Sequence, residues 1–241
     1  MKMAGYEYLK TYVDGLDEKI ERGIPKGHIV LVSGPTGSMK STLTFYMAYR
    51  YLQNNKKGNV VYVSLEQSRE SLLKQMVSLN MDIEKLPKGT EFNVFDWGLV
   101  RKMVKESGTY EKVDWIKAIE TPIREYAKEK KIDILILDSL QALYAIAEME
   151  NPRNQLFFLF ETMRELSSTT FIISETTYNS MKFGSYDVEG FLADGIIHLS
   201  MERVGRTLGR YISVIKMRGV KHSTDYYPLL VDERGFRIVS H

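Results

Sequence analysis

The chain has 241 residues, with 33 lysines and arginines against 31 aspartates and glutamates and a formal net charge of +2. A globule of that length buries roughly 70–75% of the surface its extended chain exposes, so a full core forms without staples. Cysteine is absent from the sequence, which excludes disulfides, thiolate catalysis and cysteine-held zinc or iron–sulfur clusters; the balanced charge carries no bulk signal for nucleic-acid binding.

The opening MKMAGYEYLK lacks the apolar run of a signal peptide. The most buried-looking stretch, Ile132 to Ala147, carries Asp133 and Asp138 and does not read as a bilayer span. A soluble, cytoplasmic protein without membrane partners is expected. In chain order, the two hydrophobic periods predict a strand over His28–Ser33, a helix over Lys40–Asn54 and a strand over Val60–Leu65. Helices over Ser68–Asn80 and Asp114–Lys131 follow, then a strand over Ile132–Asp138, a helix over Pro152–Ser167 and a strand over Thr170–Ser174. Near-continuous apolar strands such as IDILILD need cover on both faces, which predicts an α/β fold: a mostly parallel twisted sheet with helices on both faces. Right-handed crossovers place the strand C-termini on one edge, where ligands of such sheets bind. From Gly195 onward GIIHLSMERV, GRYISVIKMR, DYYPLLVD and GFRIV read as strands joined by short turns, an antiparallel C-terminal extension. Asn54–Asn59 and Thr176–Asp187 read as loops rather than linkers, so one domain over 1–241 is expected.

The strand HIVLVS runs into Gly34, Pro35, Thr36, Gly37, Ser38, Met39, Lys40, Ser41 and Thr42, and then a helix. Gly34, Lys40 and Ser41 fit the pattern G-x-x-x-x-G-K-[ST], with Met39 at the last glycine. Glycines let successive N–H groups turn inward around a phosphate, and the helix directs its positive end at the same anion. Lys40 adds a full charge for the β- and γ-phosphates of a nucleotide, and the Ser41 hydroxyl is a hard oxygen donor of the kind Mg²⁺ takes. A side chain at Met39 would crowd the loop or alter affinity; a Gly-rich turn in an ordinary βα unit is the bland alternative.

A metal-organising carboxylate is expected on another strand. Asp138, after the apolar run Ile134–Leu137, has the Walker B pattern and would hold Mg²⁺ through water. Asp138-Ser139 reads equally as a strand end and a helix cap. Asp133 enters the strand at the opposite edge. Glu66, at the end of VVYVSL, stands where a carboxylate would align water against the γ-phosphate; beside it, Gln67 cannot serve as a base. Both also read as the start of a loop.

Together these residues resemble the RecA superfamily, and most closely its KaiC-like branch of ATPases in single-domain, archaeal-type form. Asp14–Asp17 with Arg22–Gly27 resembles the family's "GLDELLGGGIPRG" opening, Val63–Glu66 its "YVSLEE" strand, and Ile134–Ser139 its Walker B. Phe191–Ile197 resembles "FVADGVI", and Lys216–Gly219 with His222 and Ser223 resembles "KMRGSDHS", all in the family's order. The resemblance implies a RecA-like P-loop ATPase core, commonly a homo-oligomeric hexameric ring, with ATP and Mg²⁺ at subunit boundaries and ADP as product. It implies that Glu66 activates water and that Lys216 and Arg218 reach the γ-phosphate of a neighbouring subunit. Strand spacing sets 216 and 218 on one face, compatible with that role; two charges blunting an edge strand is the alternative. The chain departs from the clock protein in carrying one core rather than two. It also has Gln67 as the second of the paired acids, and Gly190–Asp194 where the phosphorylated Ser-Thr pair would lie. Neither autophosphorylation of that kind nor circadian timing is expected.

Mg²⁺-dependent ATP hydrolysis at a homo-oligomer interface is therefore the expected function. A nucleotide-binding switch with little turnover and a DNA-binding recombination or repair accessory ATPase are the alternatives. For DNA, the segments corresponding to recombinase loops are Leu143–Asn154, which contains Glu148 and Glu150, and Thr176–Asp187, with Lys182, Tyr178, Phe183 and Tyr186. A more basic stretch holds Arg203, Arg206, Arg210, Lys216, Arg218 and Lys221. His28, His198, His222 and His241 show no metal-ligand spacing; His28 and His198 read as hydrogen-bonded strand residues.

Overall fold

In the computed structural model the described residues are 7–106, 113–147, 149–178 and 182–239, without the Arg101 side chain. Glu148 and His241, both singled out above, lie outside them. A short antiparallel pair, β1 (Tyr8–Leu9) and β2 (Ile24–Pro25), precedes the main sheet. Then follow β3 (Ile29–Gly34), α1 (Lys40–Asn54), β4 (Asn59–Ser64), α2 (Arg69–Ser78), β5 (Glu91–Asp96), α3 (Trp97–Glu106), α4 (Trp115–Glu129) and β6 (Ile134–Asp138). The remainder is α5 (Leu140–Ile146), α6 (Pro152–Glu165), β7 (Thr169–Glu175), α7 (Glu189–Leu192), β8 (Gly195–Val204), β9 (Thr207–Met217), β10 (Tyr227–Asp232) and β11 (Gly235–Ile238).

Among the described residues, one sheet of nine strands runs in the order β11-β10-β9-β8-β3-β7-β6-β4-β5. From β8 to β5 all pairings are parallel, and β9, β10 and β11 add antiparallel strands. The α/β architecture is as expected, with one refinement: β8 joins the parallel part, and the antiparallel extension begins only at β9. Alternate residues of β3 serve opposite faces. Val30 and Val32 pack under α1 and α2, Ile29 and Leu31 under α4, α5 and α6. Leu43, Phe45 and Met47 of α1 join the first layer, so this aromatic-rich helix is core.

The strand and helix expectations fit to within one or two residues, and the helix starts have local causes. Ser68, Asp114, Ser139 and Asn151 each accept a hydrogen bond from an N–H of the following first turn. His28 precedes β3 rather than lying in it, correcting its assignment to a strand. Unexpected were β1, β2, β5, α3, α5 and α7. Every residue of β5 is half-buried, because it is the sheet's last strand and has no run or alternation to mark it. Among the described residues no helix is long and apolar enough to cross a membrane.

Candidate nucleotide site

β3 delivers the phosphate loop at the C-terminal edge of the parallel strands. At Gly34 a Cβ would stand 2.4 Å from the Leu199 carbonyl, so only glycine fits there. Gly37 has φ 83 and Met39 φ 74, so Met39 takes the left-handed backbone a glycine would adopt more cheaply. Its side chain packs against the α1 layer of the core. The loop closes on one carbonyl, that of Pro35, which accepts from the Ser38 N–H (3.2 Å), Ser38 Oγ (2.7 Å) and Lys40 Nζ (3.0 Å). Ser41 and Thr42 then enter the first turn of α1, with free N–H groups typical of a helix start. Burial pushes the Lys40 ammonium below its usual pKa, opposed by the negative charges of Glu175, Asp138 and Glu66.

The acidic residues come from the two neighbouring strands. Asp138 ends β6 opposite Ser64 of β4, and its peptide bond to Ser139 is cis. Burial raises the Asp138 carboxyl to about 6, opposed by hydrogen bonds from Tyr62 and Ser41. Glu66 lies two residues beyond β4 and accepts a hydrogen bond from the Ser139 hydroxyl, so the two acidic segments are joined by a side-chain contact. Thr36, Lys40, Ser41, Glu66, Asp138 and Arg210 face one cavity of about 440 Å³.

Two lining residues had escaped assignment to the site. Glu175, the last residue of β7, pairs with Gly34 and accepts a hydrogen bond from Thr36; Gln141 of α5 clamps its backbone, donating to its carbonyl (3.0 Å) and accepting from its N–H (2.5 Å). Arg210 of β9 donates from Nε to the Gly37 carbonyl (3.1 Å), although its sequence signal was only membership of a basic stretch. Nothing local marks either one, because both depend on the order of strands around β3, with β7 beside it and β9 one strand further out beyond β8.

The model of the KaiC ATPase family matches residues 9–241. The chain belongs to the KaiC ATPase family. It is 28% identical to a UPF0273 protein of Thermotoga maritima, covering 95% of each chain. With a UPF0273 protein of Saccharolobus solfataricus it shares 29% identity over 94% of this chain and 81% of that one. The circadian clock protein KaiC3 of Synechocystis is 27% identical over 98% of this chain, which spans 46% of that longer protein. The crystal structure of a KaiC-like protein from Pyrococcus horikoshii superposes with a TM-score of 0.80 at 26% identity, covering 98% of this chain and all of the other. The KaiC-like, RecA-fold reading thus holds, and with it membership of a family of nucleotide-binding ATPases.

In this KaiC-family chain Lys216 and Arg218 stand far from its own phosphate loop. Met217 pairs with Gly195, which pairs with Val30 near the start of β3, so β9 runs from the loop at Arg210 to the opposite edge of the sheet. Arg210 and Lys216 are roughly 20 Å apart at the usual strand rise. Lys216 Nζ donates to the carbonyls of Gly190 (2.9 Å) and Ala193 (2.6 Å), and Arg218 pairs with Asp194 at 2.8 Å. The two cations do converge, on the end of α7, beside a cavity of about 420 Å³ that Phe183, Phe191 and Lys216 help line.

Four of the groups considered for nucleic acid, those of the segment Thr176–Asp187, make contacts within the chain. Lys182 pairs with Asp187 at 3.2 Å, Phe183 packs edge-on against His198, and Tyr186 against Tyr144. The Tyr178 hydroxyl donates to the Thr36 carbonyl of the phosphate loop (3.1 Å). His198 Nδ1 lies 2.8 Å from Ser33 Oγ, the hydrogen-bonded packing role expected for it. Asp133 accepts from the Asn59 N–H at the strand-entry edge, away from the cavity.

Proposed function

We propose that the chain, acting as one cytoplasmic domain, binds ATP with Mg²⁺ at the phosphate loop and hydrolyses it to ADP within a homo-oligomeric, hexameric ring. The observation that carries this reading is the single cavity in which Lys40, Ser41, Asp138 and Glu66 meet from three separate segments of chain. Lys40 and the N–H groups of the loop after Pro35, within residues 36–42, hold the phosphates, and Arg210 adds a second cation from the same subunit. The residues present fit Mg²⁺: a hydroxyl on Ser41 and a carboxylate on Asp138 are hard oxygen donors, and this ion takes few protein ligands when phosphates and water supply the rest. When bound, the metal would neutralise charge developing on the transferring phosphoryl group.

Glu66 orients the attacking water and accepts its proton, held in place by Ser139. Lys216 and Arg218 serve the site of a neighbouring subunit. Supporting this is their position at the far edge of the sheet from their own loop, with Arg218 still half exposed.

Calorimetry and steady-state phosphate release test the assignment. Lys40→Ala abolishes nucleotide binding, whereas Glu66→Gln keeps binding and loses turnover by about 10²-fold or more. Wild-type turnover in Glu66→Gln overturns the role of Glu66. The left-handed, side-chain-bearing Met39 favours a second reading, a nucleotide-gated switch with little hydrolysis. Clear multiple turnover by the purified protein excludes it.

A further inference from the structure

Beneath the phosphate loop lies a buried phenol. Tyr62 of β4 is fully inaccessible and sits on the α1 side of the sheet. Its ring packs against Phe45 of α1 and Phe92 of β5, with centroids 5.9 and 6.4 Å away. On that face Val60, Ile134 and Ile136 are hydrocarbon, the Ser64 hydroxyl beyond them donates to the Gln67 carbonyl (2.6 Å), and a phenylalanine would fill the same volume as Tyr62. A buried phenol oxygen requires a polar partner. Here the partner is Asp138: the Tyr62 hydroxyl donates to Oδ2. The register explains the reach, since Tyr62 stands opposite Ile136 and Asp138 is the next residue on that face. The Ser41 hydroxyl interacts with both groups, so Tyr62, Ser41 and Asp138 form one buried cluster.

We propose that Tyr62 is a positioning residue for the magnesium-bound triphosphate, fixing the orientation in which Asp138 presents its carboxylate to the metal's water. This inference rests on the reading of the phosphate loop as an ATP·Mg²⁺ site. A carboxylate with no partner could turn about its own bond and would have to be ordered when the metal arrives. Tyr62 occupies Oδ2 beforehand, so the ordering is built into the fold. The ring is itself buried against Phe45 and Phe92, whose centroids lie 4.6 Å apart, and cannot follow the carboxylate if it turns. Tyr62 thus acts on the metal through Asp138 and touches neither nucleotide nor water.

The test is calorimetry of ATP binding in EDTA and across a Mg²⁺ titration, with a thermal melt for each protein. The proteins are wild type, Tyr62→Phe, Asp138→Asn and the double variant. Tyr62→Phe is expected to melt within a few degrees of wild type and to bind ATP in EDTA equally well. Its Mg²⁺ midpoint should rise about 10-fold or more, the usual range for outer partners of metal-holding groups. The double variant should be no worse than Asp138→Asn alone, because the two residues act through one carboxylate. An unchanged Mg²⁺ midpoint overturns the proposal. So does an equal loss in EDTA and in Mg²⁺, or a large drop in melting temperature, since either makes the hydroxyl a packing element. A wild-type protein that binds no nucleotide overturns instead the function on which the inference rests.

Discussion

Met39 holds a backbone conformation that costs a side-chain-bearing residue roughly 1–2 kcal/mol. Met39→Gly removes that strain but also removes a side chain packed on the core and adds unfolded-chain entropy. Net stability is expected to move by less than about 1 kcal/mol, while nucleotide affinity rises several-fold as the loop amides become more accessible; melting and calorimetry check the two parts. Two buried groups beside the nucleotide site contribute to the pH response of the nucleotide-free protein with opposite signs. Asp138 is raised from 3.8 to about 6 by burial, so its contribution to stability is greatest below pH 3.8 and is lost as pH rises through 6. His198 is lowered from 6.5 to about 4 by burial and by Lys40, so its contribution is present above pH 6.5 and is lost as pH falls through 4. The two oppose each other. Asp138→Asn should therefore be more stable than wild type at pH 7.5 in EDTA, by at most about 3 kcal/mol, and the advantage should shrink as pH approaches 4. A difference between the two proteins that stays constant with pH would contradict the sign worked out here.

At the scale of elements, the start of α5 has two tasks. The Ser139 hydroxyl lies 3.4 Å from the Ala142 N–H that it caps and also donates to Glu66. Ser139→Ala is expected to cost about 1 kcal/mol in stability and to lower kcat with little change in nucleotide affinity, because the phosphate loop is untouched. The sheet's outer parallel strand, β5, is anchored by polar contacts. The Tyr126 hydroxyl reaches Asn59 Oδ1 (3.0 Å) and Glu91 Oε2 (3.1 Å) and accepts from Asn93 Nδ2 (2.9 Å). Tyr126→Phe should destabilise this edge by about 1–2 kcal/mol, seen as faster amide exchange over Glu91–Asp96 than over the inner strands. This anchoring explains why the strand was illegible beforehand. It is held by groups on β4 and α4 rather than by an apolar run, and EFNVFD has neither the continuity of IDILILD nor a clean alternation.

For the whole molecule, the geometry of β9 bears on the proposed site between subunits. Its two ends lie at opposite edges of the sheet, so a chain that carries an intact loop cannot supply itself with Lys216 and Arg218. Complementation tests the proposed trans site: Lys40→Ala and Arg218→Ala proteins, each inactive alone, should recover part of the ATPase rate when co-assembled. Mixed assemblies pair an intact loop with an intact Arg218, and solution mass measured with ATP and Mg²⁺ verifies co-assembly; no recovery in verified mixtures would mean Arg218 does not act across a boundary. The sequence by itself determined the loop from Gly34 to Thr42, the helix that follows it and the apolar run ending at Asp138. These are local patterns, set by glycine conformations, helix caps and burial over a few consecutive residues. Only the tertiary structure decided that Glu175 meets Thr36, that Arg210 meets Gly37 and that Tyr62 meets Asp138. Those contacts depend on strand order and register, which arise from pairing segments distant along the chain, and a shift of one residue would turn each of these side chains to the other face of the sheet.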